Sequence, residues 1–502
     1  MAGSHVLQLT AVAAVVGTIS YVLYTIIYNL YFHPLARYPG PKLYAVWRIP
    51  LILDRISGNS VRTIHAMHKK YGENVRVSPN EISTISPAAW KDVYGYRRNG
   101  HGGFDKDTIR FYRRDPIGNG ATAMISEDDN NHARQRRIFT HAFSDRALRE
   151  QEPLLKHYTN LLVEKLKDAS ADGSRKVDIV SFYNFTTFDT MADLTFGEPL
   201  HLLDNMDYNP WVRNIFAGIK YVAVADAFRG YPVLHQIQRA RAPKDLKEKR
   251  EYHLKFCHSR VDRRLEKEET DHPDFWSLVL KAEGAKGLTR PEMHVNSQLL
   301  MTAGTETTAT LLSGLTYYLC QNPDKMKKLV DEIRGSFSHP DEMTTVTLPR
   351  LEYLHACLEE GLRIYPPVAV GLPRIVPPEG GDIDGHPLPG GATIYFTHYP
   401  AYHSEKNFAL PDEFHPERFL QGEDPRFAND KMDAFNPFSN GPRNCLGKNL
   451  AYHEMRLILA KVLYSFDIEL LPQSQNWTNH KVYTLWEKPP LYVKLRPLQQ
   501  KA

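Results

Sequence analysis

Cysteine is scarce in this sequence: four residues in 502, at Cys257, Cys320, Cys357 and Cys445. Thiols so scattered cannot form a disulfide scaffold, and no C-x-x-C pair is present to hold zinc or run dithiol exchange. An excess of charge is missing as well. The 62 Lys+Arg and 58 Asp+Glu leave a formal net charge of +4, so no global field points to nucleic acid or a polyanionic substrate. Neither a P-loop nor G-x-S-x-G occurs, and His453-Glu454 lacks the second histidine of a zinc peptidase helix. Gly118-Asn119-Gly120-Ala121-Thr122-Ala123 matches G-x-G-x-x-[GA], but no strand precedes it, so it reads as a loop. Repeats and low-complexity tracts are absent. At 42% hydrophobic and 24% charged, the chain buries a large core and is not disordered. These exclusions leave a large reduced-compartment protein with the profile of an enzyme.

No Asp, Glu, Lys or Arg occurs before Arg37. Within that stretch Val6 to Tyr28 is a run of 23 mainly apolar residues. At about 1.5 Å per residue it reaches roughly 34 Å as a helix, against a hydrocarbon core of about 30 Å. Tyr21, Tyr24, Tyr28 and Tyr31 crowd one end, where amphipathic rings favour the headgroup layer. A cleaved signal peptide and a buried core helix are the rival readings. The run exceeds a signal h-region of about 7–15 residues, and no basic region precedes it, which favours a retained anchor. Arg37, Lys42 and Arg48 follow the run, so the positive-inside bias leaves the body in the cytosol. From Phe32 to Pro41 three prolines preclude a continuing helix and favour a stiff extended hinge. The expected division is an anchor with the start of the hinge at 1–36 and one catalytic body at 37–502.

Strand-like stretches in that body are short: Val75 to Ile85, Thr393 to Thr397, and Leu491 to Leu495. Helical periodicity dominates elsewhere. Thr289-Arg290-Pro291-Glu292 combines a capping box with proline in the first turn, and the pattern runs on to Asn322-Pro323. That predicts a helix of roughly 45 Å, long enough to cross a domain. The charged stretch Lys244 to Glu269 reads as a solvated helix face. The fold class is therefore mostly α with small β-sheets.

Phe438-Ser439-Asn440-Gly441-Pro442-Arg443-Asn444-Cys445-Leu446-Gly447 precedes a helix whose apolar stripe runs through Leu450, Met455, Leu457, Leu459, Val462 and Leu463. A thiol just ahead of a helix amino terminus, beside unpaired N–H groups, is favoured as a thiolate and as a soft metal ligand. A lone cysteine is by default buried and inert. Here, however, the ten residues match the F-x-x-G-x-R-x-C-x-G signature at every fixed position. On them the chain resembles the cytochromes P450. The resemblance implies that family's fold, with a long central helix crossing the haem, and an N-terminal transmembrane helix ahead of it. It also implies haem b (iron protoporphyrin IX), with Cys445 as axial ligand to the iron.

Further residues carry the likeness over almost the whole chain. Glu360-Gly361-Leu362-Arg363 fits the E-x-x-R pair, though residues at i and i+3 also suit a surface ion pair of a few tenths of a kcal/mol. Pro416-Glu417-Arg418-Phe419 resembles P-E-R-F, whose Arg418 would join Glu360 and Arg363 behind the cysteine loop. Ala303-Gly304-Thr305-Glu306-Thr307-Thr308 matches A-G-x-[DE]-T-[ST]. Its glycine and threonines are poor mid-helix residues, and hydroxyls bonding back to carbonyls can open the ladder. Small residues also suit a packing face. The resemblance gives Thr307 the orientation of dioxygen and Glu306 the delivery of protons. His132-Ala133-Arg134-Gln135-Arg136 resembles the W-x-x-x-R helix under the haem, with His132 where tryptophan is common. Arg136, His132, Arg443 and Arg374 are the expected propionate partners, because guanidinium forks suit carboxylates.

By the same resemblance the substrate pocket includes the loop from Gly118 to Met124, together with Met301, Ala303, Val368, Val370, Leu372 and Tyr483. These are mostly apolar and suit a hydrophobic ligand. Electrons would come from an NADPH–cytochrome P450 reductase in the endoplasmic reticulum membrane, docking on Arg134, Arg137 and Lys448. Tyr31-Phe32-His33-Pro34-Leu35, Asp189-Thr190-Met191-Ala192-Asp193-Leu194 and Phe414-His415-Pro416 resemble filamentous-fungal microsomal members. Many of those oxidise polyketides, terpenoids or alkaloids of secondary metabolism. The rivals are a haem-thiolate isomerase or dehydratase that does not use O2, and a membrane-anchored haem sensor.

Overall fold

The computed structural model describes residues 2–96, 103–107, 120–228, 231–241, 244–267, 272–282 and 287–498. Its principal helices are α1 (Ala2–Ile27), α2 (Asp129–Thr140), α3 (Asp145–Ser170), α4 (Ile179–Phe196), α5 (Pro210–Ala227), α6 (Lys244–Glu266), α7 (Arg290–Gln321), α8 (Glu352–Ile364) and α9 (Lys448–Ser465). The strands are β1 (Asn74–Ser78), β2 (Glu81–Thr84), β3 (Asp105–Lys106), β4 (Lys176–Asp178), β5 (Arg374–Ile375), β6 (Gly381–Ile383), β7 (His386–Leu388), β8 (Thr393–Phe396), β9 (Phe466–Leu470), β10 (Val482–Tyr483), β11 (Leu485–Trp486) and β12 (Tyr492–Pro497). The mostly helical reading with small sheets holds.

Helix α1 runs into a π-helical turn, Tyr28–Phe32, and its apolar length suffices to cross a bilayer without burying any of that window in the body. The proline segment behind it does not run extended. Ala36 N–H donates to His33 O at 2.7 Å and Tyr38 N–H to Leu35 O at 3.1 Å, so the prolines punctuate successive turns. Tertiary contact starts earlier, at Asn29. Its Nδ2 donates to Val46 O at 3.1 Å, and Arg76 on β1 donates Nη1 to Asn29 O at 2.7 Å. Asn29 and Arg76 are both buried.

The five-stranded sheet has the order β1-β2-β8-β5-β3, antiparallel except for the parallel β2–β8 pair. The stretch Val75 to Ile85 is thus a hairpin, with a register shift between Arg76 and Ser78. Strand β12 pairs on both sides, with β4 and β9. The main core lies among α3, α4, α7, α8 and α9, and a second apolar cluster backs the five-stranded sheet.

Helix α4 is buried on all sides, which explains why it shows no apolar stripe. Its two buried aspartates are paired internally, whereas Asn184 Oδ1 and Thr195 Oγ1 are buried without a partner. Asp189 accepts the N–H groups of Leu200, Leu202 and Leu203 at 3.1, 3.1 and 2.9 Å. Asp193 accepts from Tyr158 at 2.7 Å and His272 at 2.8 Å. Helix α7 begins with the expected capping box: Thr289 N–H donates to Glu292 Oε2 at 2.8 Å, and Thr289 Oγ1 accepts from Glu292 N–H.

Candidate active site

The cysteine loop is fixed from several sides. Cys445 N–H donates to Phe438 O at 2.8 Å and Asn444 N–H to Gly441 O at 3.1 Å. Gly441 has φ +74°, and a Cβ there would lie 2.0 Å from Tyr94 O, so only glycine fits. Asn440 reaches Trp90 O at 3.3 Å, and Trp90 Nε1 donates to Ala434 O at 3.1 Å. Cys445 keeps exposed surface although it lies deep in the molecule, so its thiol borders an internal cleft rather than outer solvent. Burial pushes that thiol up, against the Gly447 N–H and the charges of Arg136 and Lys448, which pull it down. Helix α9 starts only at Lys448, so its dipole does not by itself outweigh burial. A coordinated metal would, because a coordinating thiol is deprotonated outright.

The Glu360–Arg363 pair is not a surface ion pair. Both side chains are fully buried, with Arg363 Nε and Nη2 each 2.7 Å from the carboxylate. Arg363 also donates to the carbonyls of Tyr402, Pro411 and Glu413 at 2.7–2.9 Å. Arg418 lies 3.4 Å from Glu360 and pairs closely with Asp430, a fourth member that the motifs did not indicate. Tyr402 links this cluster to the cysteine loop: its carbonyl takes Arg363, and its hydroxyl accepts Asn436 N–H at 3.1 Å.

On α7 the threonine hydroxyls do bond backwards, Thr305 Oγ1 to Met301 O and Thr307 Oγ1 to Ala303 O, each at 2.7 Å. The helix stays α-helical throughout. Gly304 is a packing requirement, since a Cβ would meet the Met191 side chain of α4 at 2.5 Å. Ala303 is exposed and Thr307 half-buried, between the buried Met301, Thr305 and Glu306. Residues i and i+4 share a face, so Ala303 and Thr307 open on the interior together. Met301 belongs to the opposite, core-packed face with Thr305, which removes it from the expected pocket set. Glu306 is buried and paired with Lys488 at 2.7 Å.

Of the expected pocket residues, Val368, Val370 and Leu372 are half-buried, while Tyr483 is buried with Lys220 Nζ 4.6 Å over its ring. In the loop from Gly118 to Met124, Gly118 and Asn119 lie outside the described residues. Met124 N–H donates to Asn296 Oδ1 of α7 at 2.9 Å, which pins the end of that loop.

Cations gather beside this loop. Burial, with the charges of Arg374 and Arg443 added, holds Lys106 of β3 well below the usual lysine range. Burial, then Arg443, Arg136 and Lys106, depress His132 to about 3, so its ring is neutral. Arg374 Nε and Arg443 Nη1 are buried without partners. Arg443 Nη2 reaches Asp129 at 2.6 Å, but Asp129 and the nearby Asp105 are exposed and leave the buried nitrogens unmatched. Such a set calls for buried anionic oxygens, and it fits the two propionates of a haem above an inward-facing thiol. Lys106 was missed in the sequence because it sits on a two-residue strand outside any motif. Arg136 is placed differently from the others: its guanidinium holds Asn444 O at 2.6 Å and Asn444 Oδ1, bracing the cysteine loop. On the outer face Arg137 and Lys448 are exposed, but Arg134 is paired with Glu292.

A helical body with this thiol loop, this buried arginine–carboxylate cluster and this long threonine-bearing helix defines a haem-thiolate protein. The family profile described as Cytochrome P450 matches residues 38–495, and the chain belongs to that family. It is 49% identical over 95% of its length, and 97% of the relative's, to cytochrome P450 monooxygenase rdc4 of Metacordyceps chlamydosporia. It is 48% identical, over 96% of each chain, to cytochrome P450 monooxygenase efuB of Hormonema carpetanum. Averantin hydroxylase of Dothistroma septosporum is 41% identical over 97% of this chain and 91% of its own. The protein is a monooxygenase that uses haem, dioxygen and an external electron donor.

Proposed function

We propose that this monooxygenase inserts one oxygen atom of O2 into a hydrophobic small molecule of fungal secondary metabolism. The name of one relative, averantin hydroxylase, supports that reading. So do the half-buried apolar side chains of Val368, Val370 and Leu372 and the exposed Ala303. The group is haem b, and NADPH supplies electrons through a cytochrome P450 reductase. When bound, haem supplies the redox chemistry at dioxygen, and a thiolate donor promotes it, an effect for which the cytochromes P450 are the established example.

Cys445 would ligate the haem iron. Arg443, Arg374 and Lys106, with neutral His132, would receive the propionates, while Arg136 holds the loop through Asn444 and adds positive charge near the sulfur. Thr307 orients dioxygen with its hydroxyl, and Glu306 relays the protons that each turnover consumes. Apolar walls at Ala303, Val368 and Val370 keep bulk water from the reacting atoms. Residues 1–36 anchor a cytosolic catalytic body, 37–502, to the endoplasmic reticulum membrane in a single pass.

The inward-facing Cys445 thiol carries this proposal. Cys445→Ala is expected to abolish the carbon monoxide difference band of the reduced protein. Retention of the band, or nitrogen ligation in the native protein, overturns it. Charge reversal at exposed Arg137 and Lys448 together is expected to raise the reductase KM about tenfold at low salt, with the effect shrinking as salt rises. An unchanged KM removes these two residues from the docking face.

A further inference from the structure

Beside α7 lies an ion pair that no motif contains. Lys488, in the segment after β11, is buried and donates Nζ to Glu306 Oε2 at 2.7 Å and to Thr310 Oγ1 at 2.8 Å. Glu306 and Thr310 are one turn apart, and Thr310 falls in line with Ala303 and Thr307 on the helix, so Lys488 ties the carboxylate at the flank of that same face. The other carboxylate oxygen, Glu306 Oε1, is buried without a partner. The preceding residue, Glu487, pairs with Lys220 of α5 at 2.7 Å, both half-exposed. Lys220 in turn covers the ring of Tyr483 on β10. Consecutive residues just after the β10–β11 hairpin therefore pair with α5 at the surface and α7 in the interior.

Two other titratable groups face Glu306. Burial pushes Tyr208, which leads into α5, up to about 12, and pushes Tyr365 up further, so both are neutral at ordinary pH. His480 beside Lys488 is depressed by burial to about 4 and is neutral too. Lys488 thus supplies the counter-charge to the buried carboxylate.

We propose that Lys488 is the positioning residue of the proton relay: its ion pair holds the Glu306 side chain turned to Thr310, and displacement of α5, passed through Lys220 and Glu487, releases it. This rests on the role given to Glu306 above. Once released, Glu306 takes a proton from solvent and passes it to the reacting oxygen, returning to the carboxylate; no electron moves in this step.

The test uses full-length holoenzyme with reductase and a turned-over substrate. Lys488→Met is expected to raise peroxide released per NADPH about tenfold, short of the roughly 10²–10⁴ associated with losing a general acid outright. Its infrared spectrum should gain one protonated-carboxyl band, which Lys488→Met/Glu306→Gln lacks and Lys488→Arg does not show. Lys220→Met is expected to move peroxide release in the same direction by about threefold. If Lys488→Met does not incorporate haem, Lys488→Gln serves in its place. Uncoupling by Glu306→Gln without any change in Lys488→Met, in peroxide or in the infrared, overturns the inference and leaves Glu306 standing. Normal coupling in Glu306→Gln overturns the relay role itself. Normal coupling in Lys220→Met removes the link to α5.

Discussion

Glu454 shows how much a single side chain can depend on tertiary context. In the sequence it is one acid in the helix after the cysteine, and with its neighbour His453 it makes only an incomplete zinc motif. In the structure it is buried against α7, receiving Thr308 Oγ1 at 3.3 Å, with Oε1 unpartnered. Burial lifts its carboxyl to about 8. An unfolded glutamate titrates near 4.3, so between about pH 4.3 and 8 the folded chain binds the extra proton. Stability therefore falls as pH rises through that window. Glu454→Gln is expected to flatten this decline in denaturant unfolding between pH 5 and 8. An unaltered slope would refute the assignment. Lys106 and Lys488 were hidden for the same reason as Glu454: each acquires its role from residues hundreds of positions away or on another element. Cys445 was readable because its signature is local. The helix-dipole argument for its thiolate was not sufficient, because burial opposes the dipole.

At the level of elements, the buried cluster of Glu360, Arg363, Arg418 and Asp430 joins α8 to the irregular segment that leads to the cysteine loop. An i,i+3 spacing says only that two residues can meet. Whether the pair is worth tenths of a kcal/mol or several depends on burial, which spacing does not report. Glu360→Ala leaves the buried Arg363 without its carboxylate, although Arg418 keeps Asp430, and is expected to cost about 3–5 kcal/mol, seen as a lower denaturant midpoint and lost haem incorporation. A cost below about 1 kcal/mol contradicts this account. Helix α7 shows the converse. Its start, its end and its capping box were legible because caps are local. The assignment of Met301 to the pocket failed because helical phase was not carried through. Residues 301 and 305 share the core side, and 303 and 307 the open side.

For the molecule as a whole, the junction of the apolar amino-terminal helix and the body is tighter than its prolines suggest. Asn29, inside the π-helical turn, is already part of the body through Val46 and Arg76. Deleting residues 2–27 is expected to release the protein from membranes with its melting temperature intact. Deleting residues 2–32 removes the acceptor of the buried Arg76 Nη1 and is expected to cost about 1–3 kcal/mol more. Equal stability of the two truncations, measured by denaturant unfolding, rules out a structural role for the turn.

The amino-acid sequence by itself determined the long apolar amino-terminal helix, the helical class, the long capped helix and the cysteine signature. Each of these is written in contiguous residues, through hydropathy, capping chemistry or a fixed spacing. Tertiary structure alone decided that Glu360 is buried, that Arg136 holds Asn444, that Lys106 joins the cation cluster, and that Lys488 reaches Glu306. Those facts depend on which distant side chains share a low-dielectric interior, where an unpaired charge is costly and a paired one is fixed in place.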